Sequence, residues 1–186
     1  NSSSRMNDDF QAANMLTPGG GVTRLIENSE SFAPQILVGL EAKAGLTQGD
    51  ADLESFLNIF QATLDAVDPV NYISDYNGST TAKILMSEVL GDTTIPNNAW
   101  PKTNPNAYLG KGSASPLAGT DPLIRLAGID KGTKASGPLT QNAVKYNAGF
   151  HGTPVFPLSG TAAESAVFAE MTSVVLSPTY QSSVFS

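Results

Sequence analysis

Residues 83–92 read KILMSEVLGD and carry the strongest secondary-structure signal in the chain. The apolar run over 84–90 is short, and turn-forming residues stand on both sides of it, at 77–79 before and at Gly91 after. Such a run is typical of a strand buried in a sheet, although the pattern alone also leaves a helix open. We predict a buried strand over 83–90, with Asp92 directly after its carboxyl end.

A second strand and a closing helix follow further along the chain. Apolar and polar residues alternate over 143–149, which predicts a strand, and His151 comes immediately after it. Thr161 and Glu164 have the spacing of a capping box at the start of a helix over 161–177. The two strands and this helix predict an α/β fold.

Upstream of these elements the pattern predicts a helical hairpin. A short strand ending at Leu16 is followed by the break Thr17-Pro18-Gly19-Gly20-Gly21. One amphipathic helix is predicted from an N-cap at Ser31 to a terminating Gly45, and a second from a cap at Asp50 to a stop before Pro69. The apolar stripe predicted for the second helix consists of Leu53, Phe56, Leu57, Phe60 and Leu64.

The composition excludes several classes of function. The chain has 186 residues, 40% of them hydrophobic, which favours one globular domain over a disordered chain. The net charge of −7 excludes a basic surface of the kind that binds nucleic acids. With no cysteine and one histidine, the sequence offers no disulfide, no thiolate site and no zinc ligand set, so no metal and no cofactor are predicted.

Asp92 and His151 are the candidate catalytic residues. Each follows a predicted strand, and in open α/β sheets binding sites lie beyond the carboxyl ends of the strands. A carboxylate and an imidazole in that order suit the acid and the base of a serine-type triad, because the acid orients the ring and the ring moves the proton. Two plainer interpretations stay open. An Asp after a glycine is often a turn residue, and a histidine in a glycine-flanked loop is often structural.

No nucleophile accompanies this pair in the sequence. The motif G-x-S-x-G, which places a serine on a sharp strand-to-helix turn, does not occur among the 186 residues. Gly78-Ser79 and Gly112-Ser113 lack the rest of the pattern. We therefore expect the serine, if the pair is catalytic, to lie outside this sequence, and we expect the chain to be part of a processed or longer protein.

Six stretches occur in a fixed order along the chain: Thr17–Val22 (TPGGGV), Asp68–Tyr72 (DPVNY), Glu88–Asp92 (EVLGD), Ile95–Asn97 (IPN), Pro116–Ile124 (PLAGTDPLI) and His151-Gly152. Together they resemble the C-terminal half of the Gram-negative extracellular lipase family, which includes lysophospholipases and phospholipases. The similarity extends over residues 10–175, with Phe150 standing where the family often has Asp before its His-Gly pair.

The resemblance implies the C-terminal part of an α/β-hydrolase sheet over residues 10–178, with tails at 1–9 and 179–186. In that sheet the strands over 83–90 and 143–149 are parallel neighbours, and the helix over 161–177 packs against them. It implies a helical lid at about 22–72 and lipid-ester hydrolysis, with Asp92 as triad acid and His151 as triad base. Ile95 and Phe60 are the implied substrate-binding residues; plain core packing is the alternative for the phenylalanines Phe32, Phe56 and Phe60.

The resemblance also implies partners and a location. These are a lipid ester substrate, the N-terminal part of the same protein, and peripheral contact with membrane lipids. The location is secreted or on the outer-membrane surface of a Gram-negative bacterium. The fragment by itself is expected to be inactive and to self-associate. The alternative function is a non-enzymatic secreted or surface-exposed binding module, in which the Asp and the His are ordinary loop residues.

Overall fold

In a computed structural model of the protein, residues 12–76, 83–99, 114–129 and 142–176 are described. They form two compact units. The sheet unit contains the described residues up to Pro18, those of 73–90 and those from Ile124 onward. The helical unit contains residues 19–72 and the described residues of 91–123. The fold is mixed helix and strand, which confirms the α/β class.

A three-stranded parallel sheet is the centre of the sheet unit. Its strands are β1 (Ala12–Leu16), β2 (Lys83–Val89) and β3 (Asn142–Tyr146), in the order β1-β2-β3. The prediction that 83–90 and 143–149 form neighbouring parallel strands is confirmed. The predicted end of the second strand was wrong, because β3 stops at Tyr146 and the chain turns before Gly149, whose φ is 105°.

One face of this sheet packs against the last helix, α5 (Ala162–Leu176). Alternate residues of a strand share a face, so Leu85 and Val89 of β2 lie beside Val144 and Tyr146 of β3. Val167 and Met171 of α5 complete this buried cluster. Full burial of such side chains contributes about 1.5–3 kcal/mol each, so the cluster holds α5 on the sheet as predicted.

The remaining helices are short. They are α1 (Val22–Asn28), α2 (Ala33–Ala44), α3 (Ala51–Leu64) and α4 (Thr120–Leu126), with single 3-10 turns at Pro69–Asn71 and Ile73–Tyr76. The predicted hairpin corresponds to α2 and α3, which share a core of Ala33, Leu37, Leu53 and Leu57. The segment 22–72, for which a lid was predicted, contains helices α1, α2 and α3 and belongs to the helical unit.

The predicted start of α2 was wrong, while its end was right. The N-cap is Phe32, because Ser31 donates its amide N–H to the Thr93 carbonyl at 3.1 Å and its hydroxyl pairs with that of Thr94. The hydroxyl of Ser29, and not that of Ser31, accepts a hydrogen bond at the start of the helix, from the Phe32 N–H. Gly45 ends the helix with a φ of 69°, a left-handed conformation that favours glycine.

The predicted stripe on α3 is only partly buried. Leu53 and Leu57 are buried, whereas Phe56 and Phe60 are 38% and 40% exposed and stack on each other with ring centroids 6.1 Å apart. Phe32, before α2, is 41% exposed as well. Plain core packing, the alternative considered for these three phenylalanines, is therefore wrong, and they form exposed apolar surface of the helical unit.

Helix α1 is held by polar contacts from residues far away in sequence. Asp68 accepts hydrogen bonds from the amides of Gly21 and Val22 at 3.0 and 2.9 Å, which caps the start of α1. Arg24 pairs with Glu54 of α3 at 2.7 Å and with Glu27 at 2.9 Å. These bonds tie α1 to α3 where the helix has few apolar residues of its own to bury.

Among the described residues, no helix is both long and apolar enough to cross a lipid bilayer.

Candidate functional site

The candidate acid Asp92 lies in a tight turn after β2. Gly91 has a φ of 77°, which favours glycine, and turns the chain as it leaves the strand. Asp92 is 5% exposed, and its Oδ1 accepts hydrogen bonds from the amides of Thr94 and Ile95 at 2.8 and 3.0 Å. These two bonds fix the orientation of the carboxylate relative to the turn.

The rest of the Asp92 turn is fastened by neighbours in the helical unit. The hydroxyl of Ser29 donates to the carbonyl of Thr94 at 2.7 Å. Within the turn, the Gly91 N–H donates to the Asn97 side-chain oxygen at 2.8 Å, and the Asn97 carbonyl accepts from the amide of Asp121 at 2.8 Å. The turn is therefore held by hydrogen bonds from both sides.

The candidate base His151 lies in a compact loop of the sheet unit. This loop, residues 147–161 between β3 and α5, is called the histidine loop. It contains consecutive turns, and His151 is half-buried in it. Thr153 is completely buried and makes two hydrogen bonds with Phe150. The Thr153 amide donates to the Phe150 carbonyl, and the Thr153 hydroxyl accepts from the Phe150 amide, each at 2.9 Å. His151 is thus enclosed in a hydrogen-bonded ring of backbone that limits its movement.

Glu164 of α5 anchors this histidine loop. Its carboxylate accepts hydrogen bonds from the Thr153 hydroxyl at 2.9 Å and from the amides of Leu158 and Ser159 at 3.1 and 2.7 Å, and the Ser159 hydroxyl bonds it too. Only one of the two hydrogen bonds of the predicted capping box is present. The Glu164 amide donates to the Thr161 hydroxyl at 3.2 Å, but the Glu164 side chain reaches the histidine loop and not the cap.

The hydrogen bonds also set the charge state of Glu164. The bond from the Ser159 hydroxyl, followed by those from Thr153 and the two amides, outweighs burial and holds the pKa of Glu164 below its usual value. A lowered pKa in the folded state stabilises the fold above the ordinary glutamic acid range. That contribution is lost as the pH falls through the lowered pKa.

We expect Glu164→Gln to loosen the histidine loop without unfolding the protein. Glutamine keeps one acceptor oxygen but places an N–H₂ group against a donor, so the Leu158 or the Ser159 amide loses its partner. Hydrogen exchange of those two amides should be faster in the variant, and acidification of the wild type should have the same effect.

Glu41→Gln is the matched control, because Glu41 is exposed on α2. It should leave exchange at Leu158 and Ser159 unchanged. Equal protection of both amides in wild type and Glu164→Gln would contradict the anchoring role.

The two predicted substrate-binding residues lie on different elements of the helical unit. Ile95 belongs to the Asp92 turn, where its amide bonds the carboxylate. A Cβ built on Gly19 would stand 2.7 Å from the Cγ2 atom of Ile95, so the isoleucine packs directly on that glycine. Phe60 lies on α3, stacked on Phe56. The structure therefore brings Ile95 together with Asp92, and places Phe60 in an exposed aromatic pair.

The loop after His151 carries exposed apolar side chains. Val155, Phe156 and Leu158 are 84%, 61% and 69% exposed, and residues 146–163 contain no Asp, Glu, Lys or Arg. Sequence patterning gave no sign of this surface, since the loop has neither helix nor strand periodicity. The Glu164 carboxylate accepts hydrogen bonds from the Leu158 and Ser159 amides of this loop, a contact that the capping-box pattern did not predict.

Asp92 belongs to the helical unit and His151 to the sheet unit. The pairing of the two side chains stays a prediction. Within the described residues there is no group of three or more His, Asp or Glu side chains that could hold a metal ion. No protein-family model, no curated protein and no solved structure matches this chain.

Proposed function

We propose that this chain supplies the acid and the histidine of a serine-type hydrolase of lipid esters, with Asp92 as acid and His151 as base. The observation that carries the proposal is the strand order. Asp92 and His151 follow the carboxyl ends of β2 and β3, which are parallel neighbours. Parallel neighbours end at the same edge of a sheet, and acid before histidine is the chain order of α/β-hydrolases.

Two further features support an α/β-hydrolase sheet with inserted helices. The three parallel strands are in sequential order, and the helices α1 to α3 are inserted between β1 and β2. On this proposal the segment at 22–72 is a lid or cap. Ile95 and Phe60 contact the acyl chain, and the serine and its oxyanion hole come from an N-terminal part of the same protein.

Apolar surface in each unit supports a lipid ester as the substrate. Phe56, Ile59 and Phe60 on α3 are 38–69% exposed, and the loop after His151 exposes three further large apolar side chains. Contiguous exposed apolar patches are typical of sites that bind apolar ligands or surfaces, and Phe56 and Phe60 contact each other on α3. Release to the cell exterior or the outer-membrane surface of a Gram-negative bacterium belongs to the same proposal.

One observation favours the second candidate, a non-enzymatic secreted or surface-exposed binding module. Asp92 caps the amides of Thr94 and Ile95 with its Oδ1, which is the ordinary role of an aspartate in a turn. In that case the exposed apolar side chains would bind a partner without any chemistry, and changes at Asp92 would act on stability alone.

The test compares the 186-residue chain with the longer protein that supplies the serine. Both are assayed on p-nitrophenyl butyrate and p-nitrophenyl laurate, and both are treated with a fluorophosphonate probe. The longer protein should hydrolyse the esters and be labelled on a serine outside these residues, because the covalent step needs the nucleophile. The chain alone should show neither result.

Two outcomes would contradict the proposal. A labelled serine within the 186 residues would mean that the nucleophile lies here, outside any G-x-S-x-G motif. A longer protein that neither hydrolyses esters nor reacts with the probe would favour the binding module.

A further inference from the structure

Thr17, the residue after β1, has a strained backbone. Its φ is 46°, and within the described part of the chain it is the only residue other than glycine with a positive φ. A β-branched side chain is poorly tolerated in this left-handed region. The following residue is Pro18, which disfavours helical conformations of either kind in the residue before it.

A glycine would adopt this conformation without strain. The chain uses glycine at three of the next four positions, Gly19, Gly20 and Gly21. If the turn alone set the requirement at position 17, glycine would be the favoured residue there. Strained residues other than glycine concentrate at sites where a side chain must be held in place for binding or catalysis.

Thr17 lies directly after the carboxyl end of β1, and in open α/β sheets ligands bind beyond the carboxyl ends of the strands. The Thr17 amide donates to the carbonyl of Ser87 at 2.8 Å, so the residue is fastened to β2 at the carboxyl end of β1. Thr17 is 7% exposed, and its hydroxyl makes no hydrogen bond to any described residue. Oγ1 is not among the buried side-chain atoms that lack a partner, so it is in contact with solvent, where a ligand can reach it.

We infer that the Thr17 hydroxyl hydrogen-bonds an oxygen of the bound ester, and that the strained turn holds it in place for that contact. The inference rests on the proposed function, because it places the substrate at the carboxyl edge of the sheet. Thr17 is therefore a substrate-binding residue. A contact made equally to the substrate and to the transition state changes KM and not kcat.

The experiment uses the ester-hydrolysing protein with Thr17→Val, Thr17→Ser and Thr17→Gly, assayed on p-nitrophenyl butyrate, with the Tm of each variant measured. Valine keeps the shape and the strain but has no hydroxyl, and we expect KM to rise about tenfold with kcat within about twofold. Serine keeps the hydroxyl and should keep the wild-type KM. Glycine should raise KM as valine does, without lowering the Tm.

The outcomes separate this inference from the proposed function. If the wild-type protein hydrolyses the ester and Thr17→Val has the same KM, the inference is overturned while the function stands. A rise in KM that follows the loss of Tm across the three variants, with serine no better than valine, also overturns it. If the wild-type protein hydrolyses no ester, the proposed function fails and the inference fails with it.

Discussion

On the proposed function, Asp92→Asn in the protein that includes the serine is expected to lower the kcat of ester hydrolysis by about 10⁴-fold, because an amide cannot hold the histidine in its productive tautomer or stabilise its protonated form. The fold should not change. Asparagine keeps the oxygen that accepts the hydrogen bonds from Thr94 and Ile95, so the turn after β2 retains its internal bonds. The measurement is steady-state hydrolysis of p-nitrophenyl butyrate together with thermal unfolding of the variant.

Asp92→Ala separates the chemical role from the structural one. Alanine removes the acceptor as well as the charge, and leaving two amides without their partner should cost about 1–2 kcal/mol of the free energy of unfolding. Both variants should be inactive, and only the alanine variant should be less stable. Wild-type kcat in Asp92→Asn with reduced stability in Asp92→Ala would identify Asp92 as a turn residue alone.

Asp68→Ala should cause the largest loss of stability in the helical unit, about 3–5 kcal/mol in the free energy of unfolding. Asp68 is 1% exposed and accepts four hydrogen bonds of 2.8–3.0 Å. Three come from the backbone, at Gly21, Val22 and Val70, and one from the side chain of Gln61. Truncation leaves all four donors without this acceptor, and the start of α1 loses its cap. Urea denaturation measures the loss.

The control is Asp52→Ala, because Asp52 is an exposed residue in the first turn of α3. Its interaction with the helix dipole contributes about 0.3–1 kcal/mol, so the control should lose little stability. Asp68→Asn should lie between the two, since it keeps one acceptor oxygen. Equal stability losses in Asp68→Ala and Asp52→Ala would mean that the bonds to the start of α1 contribute nothing.

The same bonds make stability depend on pH. Burial by itself would raise the pKa of Asp68, but the hydrogen bonds from Val22, Val70, Gln61 and Gly21 outweigh it and lower the pKa below its usual value. The stabilisation is therefore present above the ordinary aspartic acid range and is lost as the pH falls through the lowered pKa. In Asp68→Asn this part of the acid sensitivity should disappear.

Local patterns predicted the elements whose signals lie within a few residues of one another. The apolar run of β2 indicates a buried strand without reference to the rest of the chain. The alternation of apolar and polar residues in β3 indicates a strand in the same way. The apolar spacing and the terminating Gly45 predicted α2 in the same way, and Pro69 excluded a continuation of α3. Parallel pairing of β2 and β3, with α5 on their sheet, was predicted from the hydrolase topology that the resemblance implies, and not from local patterns.

Helix α1 escaped prediction because its buried face is mostly polar. Thr23, Glu27 and Asn28 are each 1% exposed, and no apolar period marks the seven residues as a helix. The exposed positions of Phe56 and Phe60 on α3 were missed for the converse reason. An aromatic residue at helical spacing indicates an apolar face, but which part of that face is covered depends on elements elsewhere in the chain.

The sequence by itself determined the α/β class, the two strands that precede Asp92 and His151, and the hairpin helices, because those depend on propensities and periodicities between near neighbours. Only the tertiary structure decided which polar side chains support them. Asp68 caps a helix 46 residues before it, and Glu164 anchors a loop instead of its own helix cap. Thr17 has a left-handed backbone next to three glycines. A hydrogen bond or a strained dihedral angle between distant segments has no period along the chain, so it appears only once the chain has folded.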